Sequence, residues 1–329
     1  MAMKMTIQRG AEASGVLLKD VFDDFIAEKN ARNLEEVSIT GYRNSFKKFK
    51  KFINDEYSDC ETLKCSAVKI SVIHNWIVSM KDEGIKITTI NHHLRNARAF
   101  LYWCMNEERN YIKPSFGVEL LRGQEETLKT FTESEQLALL EKPHRKAKFP
   151  EWRTWAIVNW VLDNGNRAST ICNIKIQDID FSNRGVLLNR TKNKKPQIIP
   201  ISSTLEKVLK EYIKIWRWNA KQEDYLFPNV GNEQLTRNAL RISFARYCKD
   251  RGVEKTSIHG LRHSFAKGWI VNNGNSLKLQ KMLGHSTLDM TRKYVNLFNE
   301  DLKEDFDNHS PLSNLKKGTS RTQTVKRAV

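Results

Sequence analysis

Two mainly α-helical domains, the second carrying one small β-sheet, are what this sequence predicts. Three observations predict it. Apolar residues recur at helical spacing through most of the first third of the chain. A polar stretch without periodicity, R-G-Q-E-E-T-L-K from Arg122 to Lys129, interrupts the pattern. Only between Ile174 and Ile201 do the apolar runs shorten to strand length. With 329 residues there is chain enough for two cores. The expected layout is a helical domain over 15–121, a linker over 122–130, an α-rich domain over 131–310 and a basic tail over 311–329.

Taken in order, Leu18, Val21, Phe22, Phe25 and Ile26 write a first helical stripe, and Ile39, Tyr42, Phe46, Phe49 and Ile53 a second. Lys47, Lys48, Lys50 and Lys51 interleave with that second stripe and face away from it, as a solvated face or one that tracks phosphates. Val72, Ile73, Trp76, Ile77 and Met80 give a third helix, ended by Gly84. A fourth, capped by Thr88 or Thr89, runs to Met105 with Ile90, Leu94, Ala97, Leu101 and Cys104 inward. His92, Arg95, Asn96 and Arg98 project elsewhere, with side chains suited to phosphates or base edges.

Thr132 and Glu135 form a capping box that opens the second domain with a helix to Leu140. An aromatic-rich helix follows from Trp152 through Val161 and ends in N-G-N-R, Asn164 to Arg167, with Gly165 allowing the turn. Strands are expected at Ile174–Ile176, Val186–Asn189 and Gln197–Ile201, the last two bracketing R-T-K-N-K-K-P. Helices at Ser203–Trp218 and Thr236–Lys249 come next, the second carrying Arg237, Arg241 and Arg246 as candidates for backbone contacts with a polyanion.

Composition narrows the partners. The apolar and charged shares, 40% and 28%, fit a globular protein and not a disordered one. The net charge of +17 calls for a polyanion, nucleic acid ahead of a membrane surface. No run of about eighteen apolar residues offers a membrane span. The first fifteen residues lack the apolar core of a secretory signal, so a cytoplasmic protein is expected. Five cysteines without a C-x-x-C pair argue against a disulfide framework and against zinc, and suit buried free thiols. No carboxylate cluster and no glycine-rich phosphate loop is present, so neither metal nor cofactor is expected.

The chemistry gathers between His259 and Tyr294. His259 opens H-G-L-R-H-S-F-A and stands three residues from Arg262, on one face of a helix start. Leu283-Gly284-His285 follows, and Tyr294 comes nine residues after His285. Ser286 with Asp289 makes a capping box for a further helix that folds Tyr294 back toward His285.

This ordered set resembles the tyrosine recombinase (phage integrase) family, which cuts and rejoins DNA through a phosphotyrosine. The resemblance implies a helical core-binding domain that clamps the duplex, followed by an α-rich catalytic domain. It implies a first catalytic arginine at Arg167, just after the N-G-N-R turn. Thr170 departs from the pattern, since the family commonly has an acidic residue there. The catalytic lysine of the family lies on the β-hairpin; Lys192 in R-T-K matches best, with Lys194 and Lys195 in the same turn and the register open.

The groups suit the task. Arg167 and Arg262 can each fork onto the nonbridging oxygens of a phosphodiester. His259 and His285 can add hydrogen bonds, with His259 the expected base for the Tyr294 phenol. Lys192 is the expected acid for the leaving 5′ oxygen. Lys47, Lys48, Lys51, His92, Arg95, Arg98, Arg237 and Arg241 are the expected DNA-binding set. By resemblance the partner is double-stranded DNA at a specific site, with four identical protomers on two duplexes exchanging strands through a Holliday junction. The amphipathic stretch with Leu297, Leu302 and Phe306 covers its own core or docks on a neighbouring protomer.

A mobile-element integrase or transposon recombinase is the expected member of the family. The segment before residue 15 is read as too short for a separate arm-binding domain. A Xer-type dimer resolvase is the alternative, and a type IB topoisomerase shares the site without strand exchange. From another class, a non-catalytic DNA-binding regulator on the same scaffold has no need of a tyrosine there.

Overall fold

The computed structural model describes residues 15–57, 59–113, 115–123, 128–188, 196–285 and 287–298. Contacts divide the chain into two compact units, Met1–Glu126 and Thr127–Val329.

In the first unit, α1 (Leu18–Ala31), α2 (Glu36–Glu56), α3 (Ile70–Asp82) and α4 (Ile87–Met105) enclose one apolar core. The α1 stripe is buried as the periodicity predicts. On α2, Phe52 joins Ile39, Phe49 and Ile53 inside, while Tyr42 and Phe46 stay partly covered. Phe22 stacks on Phe46 at 3.9 Å and meets Phe100 edge-on at 5.1 Å, so aromatic contacts knit α1, α2 and α4. Gly84, at φ +71°, ends α3 as expected. The start of α4 differs from expectation. The amides of Thr89 and Ile90 already donate to the Lys86 carbonyl, so Lys86 is the cap and both threonines lie inside the helix.

In the second unit the capping box is present: Thr132 accepts from the Glu135 amide, and Glu135 accepts from Thr132, ahead of α5 (Glu133–Leu140). At the centre lies α6 (Phe149–Asn164), apolar on nearly every side, with Trp152, Trp155, Ile157, Trp160 and Val161 buried. Packed on α6 are α8 (Ser203–Trp216), α9 (Arg237–Asp250) and α10 (Ile258–Val271). The expected extension of α8 to Trp218 is absent. Arg217 leaves the helix, becomes buried, and donates to the Tyr225 carbonyl and the Asn232 side chain. A four-residue helix, α7 (Ala168–Ile171), follows the α6 turn, and α11 (Ser276–Leu283) and α12 (Asp289–Phe298) complete the unit.

The sheet is antiparallel in the order β1 (Ile179–Asp180), β2 (Gly185–Leu188), β3 (Gln197–Pro200), with Val186 opposite Ile199. The strand expected at Ile174–Ile176 does not form. Lys175 makes a single bridge to Tyr225, and the chain then tightens into a 3-10 turn closed by the Asp178 carboxylate on the Lys175 amide at 2.8 Å. Asn189, Lys192, Lys194 and Lys195 lie outside the described residues, as do Ser286 and its capping box, Leu302 and Phe306. All five cysteines are buried and free. No helix among the described residues is long and apolar enough to cross a membrane.

Candidate active site

Two helix ends meet at one arginine. Gly165 closes α6 at φ +62° and Gly284 closes α11 at φ +60°, both in the left-handed conformation that glycine adopts without a Cβ penalty. Such turns leave the last carbonyls of a helix without intrahelical partners. Arg262, on α10 and 2% exposed, takes them up: Nη1 donates to the Gly165 carbonyl at 2.7 Å and Nη2 to the Leu283 carbonyl at 3.0 Å. Arg167, just beyond the Gly165 turn, donates through Nη1 to the Leu283 and Gly284 carbonyls, both at 3.3 Å. Helix C-termini carry partial negative charge, so both guanidiniums are oriented by main chain. Burial, then mutual repulsion with Arg167, brings the Arg262 pKa down to about 10, still well above neutrality.

His285, directly after Gly284, has both ring nitrogens engaged. Its Nε2 lies 2.9 Å from Arg262 Nη2, and its Nδ1 lies 2.9 Å from Thr291 Oγ1. An arginine only donates, so Nε2 accepts and the ring hydrogen sits on Nδ1, directed at Thr291. Burial and the nearby arginines lower its pKa to about 4, which keeps this neutral tautomer. In this arrangement His285 positions Arg262.

Tyr294 comes from α12 and is 4% exposed, packed with Phe265, Ile270, Leu279 and Leu283. Its ring lies parallel to that of His285, with centroids 6.3 Å apart. Burial raises its pKa, opposed by the nearby guanidiniums of Arg262 and Arg167. The phenol oxygen is 2.8 Å from Nδ1 of His263, a residue that the sequence pattern did not single out. His259 sits one turn earlier on α10 and is exposed, its ring edge-on to that of His263 with centroids 4.3 Å apart. Partial burial of that ring, with Arg262 and Arg167 beside it, lowers its pKa.

Arg167, His259, Arg262, His285 and Tyr294 are thus brought together, and Lys192 lies outside the described residues. Gln197, which opens β3 and so starts one side of the lysine-bearing hairpin, donates its side-chain amide to the Lys281 carbonyl of α11. His263 and Thr291 are the additions. A signal for His263 was present in the sequence: it stands four residues from His259 and so shares its helix face.

The expected DNA-binding residues fall in both units. In the first, Lys47, Lys51, His92, Arg95 and Arg98 are exposed, and Arg98 lies over the Tyr102 ring at 5.1 Å. Lys48 differs, being half-buried and ion-paired with Glu83. Asn96 is also committed, donating to the Gly41 carbonyl and Ser45 Oγ. In the second, Arg237, Arg241 and Arg246 are exposed on α9, and Arg241 forks onto the Asn238 side chain.

A mostly helical fold with this arginine, histidine and tyrosine set is that of a tyrosine recombinase. The chain belongs to the phage integrase family, which it matches over residues 129–301. It is 28% identical over 283 residues to the tyrosine recombinase XerC of Thermodesulfovibrio yellowstonii, spanning 84% of this chain and 91% of that one. To XerC of Staphylococcus aureus it is 26% identical over 287 residues, spanning 86% and 93%. Its fold is similar to that of the Tn1549 transposon integrase solved with a circular intermediate DNA, at TM-score 0.68 and 19% identity over 84% of this chain and 94% of that one. It is similar as well to the XerH recombinase bound to its difH substrate, at TM-score 0.65 and 22% identity over 82% and 79%.

Proposed function

We propose that this chain is a site-specific recombinase in which Tyr294 attacks a DNA phosphodiester and holds the cut strand as a 3′-phosphotyrosine. The observation that carries it is the placement of a buried phenol beside two carbonyl-oriented arginines. A phosphodiester repels nucleophiles, so attack requires charge neutralised at the pentacoordinate phosphorus. Arg167 and Arg262 supply that, each worth roughly 10²–10³ in rate by the measure of oxyanion-stabilising donors. His259, which is exposed, adds a hydrogen bond to the phosphate, and Lys192 protonates the leaving 5′ oxygen. The phosphotyrosine keeps the energy of the broken bond, so a 5′ hydroxyl from a second duplex can reseal it without a cofactor.

In this reading residues 15–121 form the core-binding domain, 131–310 the catalytic domain and 311–329 a basic tail. Lys47, Lys51, His92, Arg95 and Arg98 track DNA from the first, and Arg237 and Arg241 from the second. Lys48 contributes only by giving up Glu83, a partly exposed pair of small worth. The active assembly is a homotetramer on two duplexes in the cytoplasm, serving integration or transposition of a mobile element. Likeness to the XerC recombinases over 84% of the chain favours a second reading, resolution of chromosome or plasmid dimers.

A nicked suicide duplex carrying the element end, resolved on a denaturing gel, tests the chemistry. The wild-type chain forms a covalent adduct and Tyr294→Phe forms none. Footprinted binding of the wild type with no adduct indicates a regulator instead.

A further inference from the structure

Among the described residues, the hydrogen-bond partner of the Tyr294 phenol is His263 and not the histidine the sequence suggested. Arg262 can only donate, so it offers the phenolic hydrogen no acceptor. The single phenolic hydrogen then points to His263 Nδ1, 2.8 Å away. That distance lies within the reach expected of a general base. His259 instead meets the His263 ring edge-on and is exposed.

We propose that His263 takes the proton from Tyr294 as the strand is cut and returns it as the strand is rejoined. This rests on Tyr294 being the nucleophile. In cleavage the Oη–P bond forms and the P–O5′ bond breaks. The phenolic proton passes to Nδ1, and the departing O5′ takes its own proton from the general acid. Rejoining reverses each transfer: the 5′ hydroxyl gives up its proton, and the imidazolium hands its Nδ1 proton to the leaving phenol.

The surroundings suit both directions. Burial, then His259 and Arg262, lower the His263 pKa to about 4, so without DNA the ring is neutral and Nδ1 can accept from the phenol. The charged and titratable groups around it are His259 and Arg262 from α10, Tyr294 from α12, and His285. A phosphodiester seated on Arg262 offsets that arginine's repulsion, so His263 becomes a stronger base when the substrate is present.

Single-turnover cleavage of the suicide duplex tests this with His263→Asn, whose side-chain amide can reach the position of Nδ1 without its basicity. The expected result is a loss of about 10²-fold or more, the usual scale of general-base catalysis, with DNA binding unchanged. Placing difluorotyrosine at position 294, a more acidic phenol, restores at least about tenfold of that loss. Cleavage by His263→Asn within about threefold of wild type overturns the proposal, as does a loss that fluorination leaves unchanged. If the variant fails to bind DNA, difluorotyrosine in the otherwise wild-type chain decides. A pH midpoint that stays put supports a histidine acceptor, and one that falls with the acidity of the phenol overturns it. Tyr294→Phe run alongside separates the two ideas, since an adduct there removes the nucleophile assignment itself.

Discussion

Gly165 and Gly284 do the same job from opposite sides of Arg262, yet under different constraint. Both end a helix in the left-handed conformation and leave carbonyls for an arginine, that of Gly165 itself and those of Leu283 and Gly284. At Gly165 a Cβ would lie 2.3 Å from Phe265 Cδ1 and 2.8 Å from Leu283 Cδ2. At Gly284 the nearest atom would be Arg167 Nη1 at 3.7 Å, an ordinary contact. The first turn is fixed by backbone and by packing, the second by backbone alone. One arm of the site is therefore part of the core, and the other is a turn resting against it.

That comparison predicts unequal costs. Gly165→Ala should lower the stability of the second unit by roughly 3 kcal/mol or more, adding overpacking against Phe265 to left-handed strain. Urea unfolding followed through the buried tryptophans of α6 measures it; a loss under about 1 kcal/mol removes the packing half of the argument. Gly284→Ala should cost only about 1–2 kcal/mol, the left-handed penalty itself, and Gly284→Asn less, since asparagine tolerates that conformation. Equal losses at the two glycines contradict the distinction.

How much of this was legible in the sequence follows the same divide. Arg167, Arg262, His285 and Tyr294 were singled out through the family resemblance, and the turns at Gly165 and Gly284 bring the first three together. The stripes of α1 and α3 were readable because apolar burial leaves a period of 3.6. What could not be read was which partner each group chooses. His263 adjoins Arg262 in sequence, but its role depends on α12 returning to place a phenol beside it. Ile174–Ile176 alternates like a strand, yet no neighbouring strand extends its single bridge, so the chain coils into a 3-10 turn. At Thr88 and Thr89 cap chemistry suggested a helix start, while the turn after Gly84 had already begun it at Lys86.

Smaller effects sharpen the Gly284 side. Thr291→Val removes the acceptor of the His285 Nδ1–H and should cost about 1–3 kcal/mol, since a half-buried donor is left unpaired. It should also slow cleavage, because His285 then holds Arg262 less firmly; unchanged cleavage rates in the variant would count against that positioning role. Acid gives the mildest test. His263 and His285 have folded pKa values of about 4 against 6.5 for the free side chain, so the unfolded chain binds more protons between those values. Stability is then at its full value above pH 6.5 and declines as the pH falls toward 4. The upper part of that window belongs to the histidines, and the double variant His263→Gln, His285→Gln should flatten the slope there. An unchanged slope in that variant contradicts the assignment.

The most direct test identifies the tyrosine that carries the DNA. The adduct from the suicide duplex is digested with nuclease and protease, and the modified peptide is sequenced by mass spectrometry. The account predicts a nucleotide remnant on Tyr294 of the α12 peptide. A remnant on any other tyrosine, or on serine, contradicts it.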